Sequence, residues 1–301
     1  MKVKPNKSLS VSGLFKSRNV SVQDRCIETT NFLNTSTLQD SRDIFYPRAS
    51  NLYKECMRMT VLGYMGKKRV TNYVSMKQRI TYGKGNAYHW WAQNTPDLFG
   101  DNRIGYWKCY ACGKLRYFGK PPKKPCHYCG ASNEATFYHE HIMVSSGEYL
   151  LTGHPDLFLQ QHGKIYVAEL KSIQYADFEK LKDALIDHKW QVLSYMLGLS
   201  YDRNLPVKVN DKSGFVVYIS KAEAKKAFPV KIFEVQPDAY IMDQIYARLT
   251  LFKEGILDYP NNIPVVNTKC PSSGWGSYQA KTCPVINECI SYYKKGEKNG
   301  E

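Results

Sequence analysis

No apolar run in this 301-residue chain approaches the roughly 18 residues that a membrane-spanning helix requires. The basic stretch from Met1 to Asn19 lacks the apolar core of a secretory signal. These two absences point to a soluble intracellular protein, cytoplasmic or nucleoid-associated, with no membrane partner. Internal repeats and low-complexity tracts are missing as well, which argues against a repeat array. Acidic residues are scarce beside basic ones, 27 against 42, which leaves a formal net charge of +15. A surplus of that size suits a polyanionic partner, most often nucleic acid, although it also serves simply to keep a protein soluble.

Hydrophobic residues make up 43% of the chain, enough for one large domain with an insertion or for two modest domains. Residues 1–45, rich in Ser, Asn, Thr and Lys, read as a basic, loosely ordered arm. Ser50 is placed to cap a helix through Leu52, Tyr53, Cys56, Met59 and Leu62 to Gly63. A second helix is expected over Gly85 to Gln93. Residues 96–146 break the apolar periodicity and read as an insertion. Glu148 to Gln160 and Lys164 to Ser172 read as strands joined by the turn Gln161-His162-Gly163. A long helix is predicted over Ala176 to Gly198, with Phe178, Leu181, Leu185, Leu193 and Met196 inward. Strands over Gly214–Ser220 and Val230–Gln236 follow, then a helix over Asp238–Glu254. The class is α/β, a central mixed sheet flanked by helices.

Gly153-His154-Pro155-Asp156 is followed thirteen residues later by Glu169-Leu170-Lys171. Strand side chains alternate, so Glu169 and Lys171 share one face while Leu170 turns into the core. A hairpin would set Asp156 beside Glu169. Two carboxylates there form a hard-oxygen site suited to Mg²⁺ or Mn²⁺, which activates water and polarises a phosphate. Lys171 would supply positive charge to the reacting oxygens. Glu and Lys at alternate positions also occur on ordinary surface strands, and His89 by itself reads equally as a helix-surface or core histidine.

Three further features lie in order around this pair: Gly85-Asn86-Ala87-Tyr88-His89, Glu140, and Gln191-Val192-Leu193-Ser194-Tyr195. Gln191 and Tyr195 are one helical turn apart and share a face. With Gly-x-x-Asp and Glu-x-Lys, the series resembles the motifs of RecB-like nucleases of the PD-(D/E)XK superfamily over residues 46–95 and 147–290. The resemblance implies a restriction-endonuclease-like core over 46–95 and 147–301. It implies His89, Asp156 and Glu169 as ligands of Mg²⁺ or Mn²⁺, Asp156, Glu169 and Lys171 as catalytic residues, and Gln191 and Tyr195 as DNA contacts.

The nine cysteines of a chain read as intracellular argue for metal rather than disulfides. Cys109-x2-Cys112-x13-Cys126-x2-Cys129 is the spacing of a tetrahedral zinc ribbon. Each pair ends in glycine, Gly113 and Gly130, which lets the backbone turn tightly enough for two thiolates to reach one ion. Lys114, Arg116, Lys120, Lys123 and Lys124 lie between the pairs with Tyr117 and Phe118, a mixture suited to nucleic-acid contact, unless the loop is only solvated. The set Cys56, Cys270, Cys283 and Cys289, one before and three after the motifs, resembles the iron–sulfur nucleases of the same branch, the AddB and CRISPR-adaptation exonuclease type. That implies a [4Fe–4S] cluster. The family places two residues between its second and third cysteines, whereas twelve separate Cys270 from Cys283 here. A second zinc or free buried thiols are the alternatives, and Cys26 has no assigned role.

The expected function is a metal-dependent DNA nuclease, an exonuclease on single strands or ends in recombination, repair or replication. RNA is a further possible substrate. The contrasting reading is a non-catalytic nucleic-acid-binding module on the same fold. No G-x-x-x-x-G-K-[ST] loop occurs, so any unwinding falls to a separate helicase or recombination partner.

Overall fold

The computed structural model describes residues 37–39, 46–67, 73–132, 137–140, 144–146, 148–201, 205–221 and 229–298. The expected N-terminal arm lies outside them, except for β1 (Thr37–Gln39), which pairs antiparallel with β2 (Tyr73–Ser75). Cys26 also lies outside.

A seven-stranded mixed sheet is central. Its strands are β3 (Arg103–Cys109), β4 (Leu115–Gly119), β5 (Phe137–Glu140), β8 (Leu157–Gln161), β9 (Lys164–Ile173), β10 (Gly214–Ser220) and β11 (Val230–Val235). A separate hairpin pairs β6 (Val144–Ser146) with β7 (Leu151–Gly153). The order is β11-β10-β9-β8-β3-β4, with β5 also on β3. β9 and β10 run parallel, and the other pairs are antiparallel.

Helices cover both faces. α1 (Met57–Tyr64), α4 (Ile186–Tyr201) and α5 (Ala239–Leu257) lie on the side where Val61, Val192 and Phe252 join Val167, Val216 and Tyr218. α2 (Met76–Asn94) covers the other side, its Ala92 packed with Ala168, Leu170, Val217 and Ile219. The alternation of Val167 and Ala168 between the two clusters is the two-residue period of β9 made visible.

Residues 96–146 are not a detached appendage. Arg103 and Ile104 at the start of β3 pair with Leu159 and Phe158 of β8, while Tyr106 to Cys109 pair with β5. One strand therefore belongs to the central sheet at its base and to the cysteine ribbon at its tip. The strand expected over 148–160 divides into β7 and β8. Pro155 stands at the break, where it has no N–H to give to a ladder. The helix expected from Ser50 begins only at Met57, because Cys56 is extended, with φ −81° and ψ 110°.

The long helix expected over 176–198 is two helices, α3 (Tyr175–Lys180) and α4. Apolar periodicity runs through the break, so it gave no sign of it. The cause is a distant side chain: Lys231 of β11 donates to the carbonyls of Phe178, Glu179 and Leu181 at 2.7, 3.3 and 3.1 Å. These are carbonyls that a helix end leaves open, and a cation is the favoured partner there. Replacing Lys231 with Met keeps the apolar stem and removes all three bonds. Urea unfolding of Lys231→Met should show a loss of about 1–3 kcal/mol; no loss would mean that water satisfies these carbonyls equally well.

Candidate active site and cysteine centres

β8 and β9 pair with Leu157 opposite Ala168. Continued by one residue, that register sets Asp156 opposite Glu169. Both are nearly inaccessible, 8% and 2% exposed. Asp156 Oδ2 accepts the Leu170 amide at 2.7 Å, and Oδ1 lies 3.0 Å from His89 Nδ1. One turn further along α2, Gln93 Nε2 donates to the Asp156 carbonyl at 2.6 Å. α2 thus grips Asp156 through two side chains spaced to share a helix face. Lys171 Nζ donates to Glu169 Oε1 at 2.7 Å, whereas Glu169 Oε2, buried with the Tyr195 hydroxyl near its carboxyl, has no well-formed hydrogen bond among the described residues.

The charges follow from these contacts. Burial pushes the Glu169 carboxyl up to about 8, and the neighbouring Asp156 charge adds to the rise. Burial would raise Asp156 too, but His89, Lys171 and the Leu170 amide hold it below the usual carboxylate range. Burial opposes the charges of Lys171 and His89; the two carboxyls outweigh it and raise both. Two carboxyls so placed cannot both be ionised cheaply without a cation between them.

Gln191 and Tyr195, expected to lie beside the site and contact DNA, are buried, at 4% and 2% exposure, with the Tyr195 hydroxyl in interaction with Glu169 and Asp156. Gln191 Nε2 donates to the Tyr195 hydroxyl at 2.7 Å, and that hydroxyl donates to the His154 carbonyl at 3.0 Å. They brace the Gly153–Asp156 corner. Gly153 is required there, since a Cβ would meet the Tyr195 ring at 2.6 Å.

His188 escaped the sequence reading, since nothing local marks it. The Leu185 amide donates to the Tyr218 hydroxyl at 2.9 Å, and that hydroxyl lies 2.7 Å from His188 Nδ1. Burial, then the charge of Lys171, pushes His188 down to about 4, so the ring is neutral. Tyr218 is paired with Lys171 across β9 and β10, which is why α4 brings this ring towards the lysine.

Cys109, Cys112, Cys126 and Cys129 meet, all four sulfurs lying within 4.8 Å of one another. The contacts Cys109–Cys129 and Cys112–Cys126 are 3.8 Å. That is the edge, about 3.8 Å, of a tetrahedron built on metal–sulfur bonds of about 2.3 Å. Gly113 and Gly130 have φ of +68° and +73°, and their amides close the two knuckles onto the Cys109 and Cys126 carbonyls. These four cysteines could bind a metal ion such as zinc or an iron–sulfur cluster.

Cys56, Cys270, Cys283 and Cys289 line one cavity of about 170 Å³ with Met59 and Trp275. The long spacer is accommodated by two short helices, α6 (Lys269–Ser272) and α7 (Tyr278–Lys281), followed by α8 (Ile286–Lys298). Among the described residues, only the ribbon cysteines form a group of three or more His, Cys, Asp or Glu ligand atoms close enough to hold one metal ion; this second set does not, and neither do His89, Asp156 and Glu169. Burial and the thiols of Cys56, Cys289 and Cys270 push Cys283 up to about 11. Arg58 donates to the Cys289 carbonyl at 3.5 Å, bringing a cation to the cavity wall.

Of the ribbon cations, Lys114, Lys120 and Lys124 are exposed, and Lys123 is also paired with Asp101 at 2.5 Å. The side chains of Arg116 and Glu140 lie outside the described residues; Glu140 itself ends β5 opposite Tyr106. No helix among the described residues is long and apolar enough to cross a membrane.

No protein-family model matches the chain, and no curated protein matches it. Among solved structures, the crystal structure of SSO0001 matches 74% of this chain and 86% of that chain, with 15% identity and a TM-score of 0.33. A likeness at that level carries no argument about fold or function.

The raised Glu169 carboxyl has a consequence for stability. The folded chain keeps this proton to about pH 8, whereas an unfolded glutamate releases it near 4.5. The contribution is therefore full below that lower value and is lost as pH rises through about 8. In buffer without divalent cations the melting temperature should fall across this window. Glu169→Gln should flatten the fall; an unchanged slope in that variant would refute the assignment.

Proposed function

We propose that this chain is a metal-dependent DNA nuclease on a restriction-endonuclease-like core, an exonuclease acting on single strands or ends in recombination, repair or replication. One observation carries the reading: Asp156 and Glu169 are opposed and buried, and Glu169 Oε2 has no well-formed hydrogen bond among the described residues. A buried oxygen of that kind calls for a missing partner, and a hard divalent cation suits a donor set of two carboxylates and one imidazole.

Asp156, Glu169 and His89 would hold Mg²⁺ or Mn²⁺. When bound, the ion supplies an activated water and a Lewis acid for the phosphodiester. The Leu170 amide and Gln93 hold Asp156 in place from two sides. Lys171 brings positive charge to the same point and stabilises the charge that grows on the phosphate oxygens. His188 adds a neutral imidazole near Lys171. Tyr195 and Gln191 keep the Asp156 corner rigid, so the carboxylates stay close to their working geometry.

The ribbon cysteines fit zinc, on the tetrahedral spacing of their sulfurs. The second cysteine set fits a [4Fe–4S] cluster better than a second zinc. Four thiols around one cavity suit a group larger than a single ion. Such a cluster would tie α1 to the C-terminal helices and serve the fold rather than electron transfer.

Asp156→Ala, Glu169→Ala and Lys171→Ala should each lower Mn²⁺-dependent release of nucleotides from end-labelled DNA by about 10²-fold or more, while DNA binding largely persists. His89→Ala should be milder, and more damaging with Mn²⁺ than with Mg²⁺ because manganese accepts nitrogen more readily. Near wild-type rates in both Glu169→Ala and Lys171→Ala would leave only the binding-module reading.

Protein purified without oxygen should carry iron and sulfide beside zinc. Cys283→Ser should lose the iron and keep the zinc. Zinc in both sites of anaerobic protein would rule out the cluster.

A further inference from the structure

Trp90 follows His89 directly on α2, yet it turns to solvent and is 52% exposed. Its indole N–H donates to the Tyr110 hydroxyl at 3.0 Å. Tyr110 is likewise 52% exposed, and its ring lies on that of Tyr138, with centroids 4.4 Å apart and planes tilted by 38°. The three side chains come from three places: a helix of the candidate active site, the Cys109–Cys112 knuckle, and β5 of the ribbon. Large aromatic surface left in water and held in position by a hydrogen bond is arranged for something flat.

The occupant follows from charge and chemistry. A chain of net charge +15 suits a polyanion, and Lys114 is exposed just beyond the same knuckle. Exposed rings offer π-faces, and every unpaired base has a matching face, whereas a duplex hides its base faces within the stack. The same helix, α2, carries Trp90 and His89, on different faces.

We infer that Trp90, Tyr110 and Tyr138 form a stacking shelf, between α2 and the cysteine ribbon, on which unpaired bases of single-stranded DNA rest. This deepens the nuclease reading by naming a single strand as the substrate; it rests on that reading for the strand's destination and not for the stacking. It also gives the ribbon a task. The metal-binding knuckle holds Tyr110 at a fixed height over the active-site helix.

The test is fluorescence anisotropy with a labelled oligothymidylate and with a duplex of the same length, without added divalent cation so that nothing is cut. Trp90→Ala and Tyr110→Ala should each weaken single-strand binding roughly tenfold, as expected for one lost stack, and leave duplex binding unchanged. Tyr110→Phe, which keeps the ring, should retain most of the affinity. Unchanged single-strand affinity in both alanine variants would overturn the proposal, and so would equal losses on single strand and duplex. Melting temperature and zinc content are read for each variant. Should the alanine variants fail to fold, Trp90→Phe and Tyr110→Phe decide: kept single-strand preference supports the shelf, and its loss overturns it. Cleavage with Mn²⁺ is scored separately on the unaltered protein. Shelf-dependent binding without cleavage would remove the nuclease reading and leave the shelf, whereas cleavage with shelf-independent binding would do the reverse.

Discussion

Asp156 and Glu169 lie buried across one strand pair, and the middle of the molecule is arranged around the energetic cost of that placement. Isolated carboxylates in so dry an environment would be strongly unfavourable, and two of them repel. The surroundings answer each oxygen but one. The Leu170 amide and His89 serve Asp156, and Lys171 serves one oxygen of Glu169. The remaining oxygen, Glu169 Oε2, has no well-formed hydrogen bond among the described residues, and burial pushes its carboxyl up to about 8.

The supporting elements are explained by that requirement. α2 crosses the sheet so that His89 and Gln93 both reach Asp156. α4 packs Tyr195 over Gly153 and anchors the corner that carries Asp156. The break between α3 and α4, held open by Lys231, frees the Leu185 amide for Tyr218 and so orients His188. The cysteine ribbon is joined to the same framework, because β3 pairs with β8 at its base and carries Cys109 at its tip.

Much of this was legible in the chain. Alternation through Val167-Ala168-Glu169-Leu170-Lys171 was enough to put Glu169 and Lys171 on one face, as β9 does. The paired Cys-x2-Cys-Gly spacing was enough to bring four sulfurs together, since short loops with left-handed glycines leave few other geometries. Helix ends were less legible. Lys231 lies some fifty residues from the carbonyls that it gathers, and no local pattern announces it. Gln191 and Tyr195 were readable as one helix face, but not whether that face meets solvent or the Gly153 corner.

The sequence by itself determined the order of the motifs, the periodicity of the strands and the cysteine spacing that brings the four ribbon sulfurs together, because these depend on neighbours within a few residues. Only the tertiary structure decided which groups meet. It set Asp156 opposite Glu169 through the β8–β9 register. It gathered Cys56 with Cys270, Cys283 and Cys289 around one cavity despite more than two hundred intervening residues. It joined Trp90 to Tyr110 across the boundary between core and ribbon. Contacts of that kind arise from packing of whole elements, where the gain is shared by many side chains and no single stretch of sequence carries it.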